Sequence, residues 1–305
     1  MLDYQEIQKI RKLYDKEQNI MKYLRSQTNH KMNTPEMIAY SYDLQAGNYL
    51  EKFKNKSFNE TRKKIGEKIS KVISELGVKT ILEAGVGEAD TLHHLISSGL
   101  LKKTKFFGFD ISLSRLLYAQ KHLKIHHKKN TKLFCSEFSN IPLDDNSIDL
   151  SYTFQAIEPN HGREEIILKE LLRITKHYLV LIEPSYELGT NETRKHIEEH
   201  GYCRDMPQII KKLGFKILKH ELFRIYHRMN NETAIIVVEK NKKRNTKRSL
   251  TETQFVSPLS HKPFLQQKNY LYCKDDGYAW PIINGIPCLL KENAILASKL
   301  TNFLK

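Results

Sequence analysis

Four cysteines in 305 residues (Cys135, Cys203, Cys273 and Cys288) are too few for a disulfide framework, and no two have the close spacing of a metal knuckle. No stretch approaches the roughly 20 apolar residues that a membrane span requires. The amino terminus, MLDYQEIQKIRKLYDKEQNI, interrupts its apolar residues with charge every three or four positions, so it does not read as a secretory signal. These absences make a reducing, cytoplasmic location the expectation. What the chain has in excess is positive charge: 50 Lys and Arg against 35 Asp and Glu, a formal net of +15. That balance suits anionic partners such as nucleic acid, phosphorylated metabolites or anionic lipid, without choosing among them. With 40% apolar and 28% charged residues, the chain is too apolar for disorder and can bury the core of one large or two modest domains.

The periodicity divides the chain. Residues 1 to about 30 read as one solvated helix, with Ile7, Ile10, Leu13, Ile20, Met21 and Leu24 at helical spacing. Thr34 and Pro35 form an N-cap and first helical position for a second helix, and 61–76 carries Ile65, Ile69, Val72, Ile73 and Leu76 on one face. From Lys79 the period changes. Short apolar strands at 80–84, 106–110, 132–135, 148–154 and 178–183 alternate with helices at 90–98, 114–123 and 163–174. A helix at 207–213 and a closing antiparallel hairpin, 215–226 with 234–238, follow an insertion. Alternation of this kind predicts an α/β fold with a doubly wound, seven-stranded, mostly parallel sheet. We expect a helical extension or lid at 1–60, the α/β domain at 61–240, a basic linker at 241–254 around NKKRNTKR, and a small β-rich module at 255–305 that docks on the α/β domain.

The chemistry concentrates at the end of the first strand, Leu82-Glu83-Ala84-Gly85-Val86-Gly87-Glu88-Ala89-Asp90, followed one βα unit later by Phe109-Asp110-Ile111. Glycines at 85 and 87 let backbone approach a ligand, and an acid ending the second strand can take two ribose hydroxyls. A dinucleotide would need a third glycine where Asp90 stands, and that charge repels a pyrophosphate.

Glu83, Gly85, Gly87 and Ala89 resemble the first motif of class I S-adenosylmethionine-dependent methyltransferases, with alanine in place of the last glycine, and the similarity continues over roughly residues 78–240. The resemblance implies S-adenosyl-L-methionine as cofactor. It also implies Asp110 on the ribose, Ile111 packed on adenine, Glu137 and Phe138 at the adenine edge, Gly85 and Gly87 along the methionine portion, and Glu83 among the cofactor-binding residues. In Tyr40-Ser41-Tyr42-Asp43-Leu44-Gln45-Ala46-Gly47-Asn48-Tyr49 we read a lid, with Tyr42, Asp43 and Tyr49 at its mouth.

Methyl transfer to a hydroxyl needs alignment, desolvation and a base. After the fourth strand, Glu158 and His161 stand in a loop where such folds hold substrate, and they are the candidate catalytic residues; Glu183-Pro184-Ser185-Tyr186-Glu187 is a second substrate-side loop. The Asn/Asp-Pro-Pro-aromatic motif of amino-methylating nucleic-acid enzymes is missing from that loop. The leading expectation is O-methylation of a small or carbohydrate-type acceptor, of the surface-glycan or nonulosonate kind. RNA or a translation protein is the second reading, and a non-catalytic scaffold that keeps the cofactor fold is the third.

The segment Tyr272 to Leu290, with Trp280-Pro281-Ile282-Ile283-Asn284-Gly285-Ile286-Pro287-Cys288-Leu289-Leu290, resembles small zinc-ribbon-like methyltransferase activators. Their first cysteine pair is replaced by Ser257 and Ser260, and Cys273 alone cannot hold structural zinc, so the expected module contains no metal.

Overall fold

The computed structural model describes residues 3–28, 32–124, 130–225, 230–240 and 254–303, so most of the basic linker lies outside the described residues. Five helices come first: α1 (Tyr4–Asp15), α2 (Ile20–Gln27), α3 (Pro35–Leu44), α4 (Asn48–Lys52) and α5 (Lys56–Ser74). Then β1 (Thr80–Ala84), α6 (Asp90–Ser97), β2 (Lys105–Asp110), α7 (Leu113–Lys124), β3 (Thr131–Cys135) and β4 (Ile148–Phe154) alternate. They are followed by α8 (Glu164–Ile174), β5 (Thr175–Pro184), α9 (Asn191–His200), α10 (Met206–Lys212), β6 (Lys216–Leu222) and β7 (Thr233–Glu239). The strands form one sheet in the order β3-β2-β1-β4-β5-β7-β6, parallel except for β7, which runs antiparallel to both β5 and β6.

The apolar strand runs arise because both faces are covered. Consecutive residues enter opposite cores: Ile81, Leu150, Tyr152, Val180 and Ile182 pack with α5, α6 and α7, whereas Leu82, Phe107, Leu179 and Leu181 pack with α8 and α10. On α5, Ile65, Ile69 and Ile73 are fully buried. Gly66 lies between them because a Cβ there would come within 2.6 Å of the His94 Cβ, so α5 and α6 approach as closely as backbone allows.

Two expectations need correction. The first thirty residues are not one helix: Glu17 turns into the left-handed region (φ 56°), and the Asn19 side chain accepts from the Lys22 N–H to cap α2. A local cap thus outweighs the continuous periodicity. The insertion between β5 and α10 also holds a helix, α9, capped by the Thr190 side chain and stopped by Gly201 at φ 65°. Thr34 does cap α3, accepting from the Met37 N–H.

The tail folds as a small antiparallel sheet of β8 (Leu265–Gln266), β9 (Tyr270–Cys273), β10 (Tyr278–Ile283) and β11 (Ile286–Pro287), with β12 (Ile295–Leu296) on β10. It extends the β3 edge of the large sheet: Cys288 pairs with Cys135, and the Leu289 N–H donates to the Cys135 carbonyl at 2.8 Å. Phe255 meets Phe134 edge-on at 5.1 Å, and Leu271, Trp280 and Leu289 share a core with Phe134, Ile141 and Leu143. An exposed sheet edge is thereby closed. Inside the tail, Ser257 Oγ donates to the Asp276 carboxylate and Ser260 Oγ lies 3.9 Å from Cys273 Sγ, so these four side chains tie two loops together.

Candidate active site

At the carboxyl ends of β1, β2 and β4, under α3 and α4, lies a cleft of about 1040 Å³, its open mouth included. Topology explains its position: β1 and β4 are neighbours whose connections leave to opposite sides, which opens a crevice at their ends. The turn after β1 forms the floor. Gly85 has φ 74°, and a Cβ on it would come within 2.5 Å of the Ala156 Cβ; Gly87 has φ 54°, and a Cβ there would meet the Arg115 guanidinium at 2.8 Å. Ala89 holds the third left-handed position, φ 60°, opening α6 without a side-chain cap.

Of the residues the sequence nominated, Glu83, Gly85, Gly87, Asp110, Ile111, Glu137, Phe138, Tyr42 and Glu158 all line this one cleft. At one end, Glu83 is 2% exposed, and its carboxylate accepts from the Tyr152 hydroxyl at 2.6 Å. Burial pushes its pKa well up, and the charges of Asp90 and Asp110 push it further, against the pull of the Tyr152 hydrogen bond and of Arg62. Arg62, buried on α5, pairs with Asp90 at 3.0 Å. A zwitterionic amino-acid group fits this end, with its ammonium toward the carboxyls and its carboxylate toward the guanidinium. At the other end Asp110 accepts from the Gly87 N–H (2.9 Å) and the Ser112 N–H (3.0 Å). Glu137 is held by Ser139 and, at 3.0 Å, by Arg163.

Three nominated groups fall elsewhere. His161 does not line the cleft: its Nδ1 meets Glu164 at 2.7 Å and its Nε2 meets the Arg204 guanidinium at 3.2 Å. Because arginine only donates, a neutral His161 would accept at Nε2 and donate from Nδ1 to Glu164. His161 thus stands beside the cleft lining, between Glu164 and Arg204. Asp43 is exposed and accepts from Ser112 Oγ (2.6 Å) and the Ser114 N–H (3.3 Å), so it anchors the lid on the start of α7 instead of lining its mouth. Glu183 lies behind the cleft, 2% exposed, with both oxygens accepting from the Ala156 N–H at 3.1 Å.

Glu183 carries a pH prediction. Burial pushes its pKa up to about 7 from 4.5, against the opposing hydrogen bonds from Thr153 and the backbone of the loop it holds. A raised carboxyl pKa means stability that is complete below the unfolded value and lost as pH rises through 7, here roughly 3 kcal/mol. Urea denaturation at pH 5 and pH 8 should show wild type losing about that much more than Glu183→Gln, which keeps an acceptor for Ala156 but has no charge. Equal losses would remove the assignment.

Sequence reading missed three residues. Arg62 stands in phase with the buried stripe of α5, and that misplaced charge was a readable signal. Glu88, fully buried, accepts from the N–H groups of Gly47 (2.9 Å), Tyr49 (3.4 Å) and Leu50 (2.8 Å), so the cofactor-loop side caps α4. Arg115, third residue of α7, has the look of an ordinary surface charge in the sequence.

Comparison with known proteins bears on the domain and its fold. Residues 81–177 match the model of a methyltransferase domain. The fold is similar to that of magnesium protoporphyrin IX methyltransferase from Synechocystis PCC 6803 with bound SAH, at a TM-score of 0.53 and 12% identity, covering 68% of this chain and 100% of that one. The same enzyme with bound SAM gives 0.52 and 11%, over 70% and 100%. A SAM-dependent methyltransferase from Aquifex aeolicus gives 0.41 and 23%, over 55% and 87%. A search of curated proteins returned no match. The chain has the class I methyltransferase fold. Residues 81–177 carry a methyltransferase domain on that fold, to which a helical amino-terminal arm and a small β-rich tail are added.

Proposed function

We propose that the enzyme methylates a hydroxyl of a small, polar acceptor of carbohydrate type, with Glu158 as the base. The observation that carries this reading is Asn231: it is 3% exposed, lines the cleft, and its Oδ1 has no hydrogen-bond partner among the described residues. A buried acceptor atom left alone costs about 1–3 kcal/mol, a cost that a hydroxyl donor removes. Gln155, Glu158 and Asn160 line the same cleft and give it further polar groups for an acceptor, beside apolar Pro35 and Ile38. A lining of this kind suits a polyhydroxyl compound better than a flat macrocycle or a prenyl chain.

S-adenosylmethionine supplies a methyl group already activated on a sulfonium. Its site fits the residues present: a glycine floor that a Cβ would fill, and five carboxyl groups (Glu83, Asp90, Asp110, Glu137, Glu158) against three guanidinium groups (Arg62, Arg115, Arg163), which favours a ligand of net positive charge. In this reading Asp110 holds the ribose, Glu83 and Asp90 take the ammonium, and Arg62 takes the carboxylate. Ile111 and Phe138 flank the base, and Glu137 stands at its edge. The arm of α3 and α4, closed by Glu88 and Asp43, excludes water. Glu158, half-buried, has a charge that adds to burial in pushing the Tyr42 hydroxyl pKa up, so it stands within electrostatic reach of the lid. There it accepts the proton that the acceptor hydroxyl gives up. An acid-rich cleft in a chain of net charge +15 also weighs against a phosphate-rich acceptor at this mouth, although a basic surface outside it would steer one.

The test is transfer of tritiated methyl from labelled cofactor into size-fractionated cell extract. Label in a small or glycan fraction resistant to nuclease and protease is expected; nuclease-sensitive label would replace this reading with the RNA one. Glu158→Gln should lower kcat by about 100-fold or more while leaving cofactor affinity intact, since positioned bases contribute roughly 10²–10⁴-fold. An unchanged kcat would take the base away from Glu158.

A further inference from the structure

Arg115 is half-buried in the cleft wall although it belongs to the first turn of a helix. Its guanidinium lies against Gly87 and stands 5.2 Å from the Tyr42 ring centre and 5.3 Å from that of Tyr49. These two tyrosines come from α3 and α4, the two lid helices. Burial by itself lowers the arginine pKa, but the charge of Asp110 first, then Tyr49, Tyr42 and Glu88, more than offset it. Arg115 Nε has no hydrogen-bond partner among the described residues. The helix start is held as well: Ser112 Oγ accepts from the Arg115 N–H at 3.1 Å and donates to Asp43 of the lid.

One cation therefore lies against Gly87, whose N–H donates to the carboxylate proposed for the ribose, and stands over two aromatic rings of the lid. A planar guanidinium can stack on rings and keep its in-plane N–H groups for oxygen at the same time; an ammonium cannot. We propose that Arg115 is a positioning residue that couples cofactor occupancy at Asp110 to closure of the lid through Tyr42 and Tyr49. The inference rests on the reading that the ribose is held by Asp110, and it assigns Arg115 no contact with the reacting atoms. Ordering Asp110 around the ribose fixes the guanidinium, and the fixed guanidinium gives the two rings their seat. The reverse holds by linkage: a closed lid favours the cofactor-bound site.

The test uses the full chain with S-adenosylhomocysteine as probe, measuring its Kd by calorimetry and hydrogen exchange of the amides from 42 to 50 with and without the probe. In wild type, the probe should slow exchange in that segment. Arg115→Met should raise Kd at least tenfold and abolish the probe-dependent slowing, with the melting temperature of the free protein changed far less than in Asp110→Ala. Arg115→Lys should recover part of the affinity, because it restores charge beside Asp110, but not the slowing, because it cannot stack. Should Arg115→Met fail to fold, the Tyr42→Leu, Tyr49→Leu double variant removes the rings instead and must show the same loss of coupling. Unchanged Kd and exchange in Arg115→Met, unchanged coupling in the double variant, or full recovery of both readouts by lysine would overturn the proposal. If Asp110→Ala binds the probe as wild type does, the ribose assignment itself has failed, whereas loss in Asp110→Ala with none in Arg115→Met leaves that assignment standing and rejects only the coupling.

Discussion

An Asp110→Ala chain is expected to lose measurable binding of S-adenosylhomocysteine and about 3–5 kcal/mol of stability, the range seen when one member of a buried charged group is removed. The carboxylate is 6% exposed and accepts from two backbone N–H groups, those of Gly87 and Ser112, which would be orphaned together. It also raises the Arg115 pKa more than any other charged group, so its removal leaves a half-buried cation poorly balanced. Asp110→Asn separates the effects: the amide oxygen still accepts from one N–H, so the stability loss should fall to about half while ribose binding stays weak. Urea denaturation and calorimetry measure both quantities. An alanine variant that unfolds at the wild-type midpoint and binds normally would remove Asp110 from the site.

Gly85→Ala should be nearly as severe for a different reason. At φ 74° a side chain is strained by about 1–2 kcal/mol. The new Cβ would also stand 2.5 Å from the Ala156 Cβ and 3.1 Å from the Phe138 ring, and forcing atoms into a packed site costs a further 1–3 kcal/mol or so. Because Ala156 N–H is pinned by Glu183, the loop after β4 has little freedom to yield. Cofactor affinity should fall about 100-fold or more, since the backbone floor would shift where the ligand must approach it; this figure corresponds to roughly 2.7 kcal/mol. Adding Ala156→Gly relieves the contact but not the φ strain, so the double variant should regain part of the lost stability. If the two substitutions are simply additive, the contact argument is wrong.

Much of the α/β domain is legible because its signals are local. Strands buried on both faces must be apolar without interruption, as 80–84 and 148–154 are. The floor of the cleft needs backbone conformations that Gly85 and Gly87 supply at no steric cost. Even the left-handed Ala89 was readable as the third position of a motif. The missed break at Asn19 shows the limit of periodicity, since α1 and α2 have the same apolar spacing and only the cap separates them. His161 shows the limit of loop position as a guide: the side chains that occupy its two nitrogens come from 3 and 43 residues away.

From the sequence alone came the alternation of strands and helices from β1 to β5, the glycines of the turn after β1, and the carboxyl at the end of β2. Each depends on residues near in the chain, where spacing and φ preference act directly. Tertiary structure decided which charges meet. Glu88 caps a lid helix some 40 residues before it, Arg62 and Asp90 cross from α5 to α6, Arg115 comes under two tyrosines of the lid, and His161 meets Arg204. A charge has no preferred sequence distance to its partner. What fixes the pairing is the cost of leaving either group buried alone, and that cost exists only once the chain has folded.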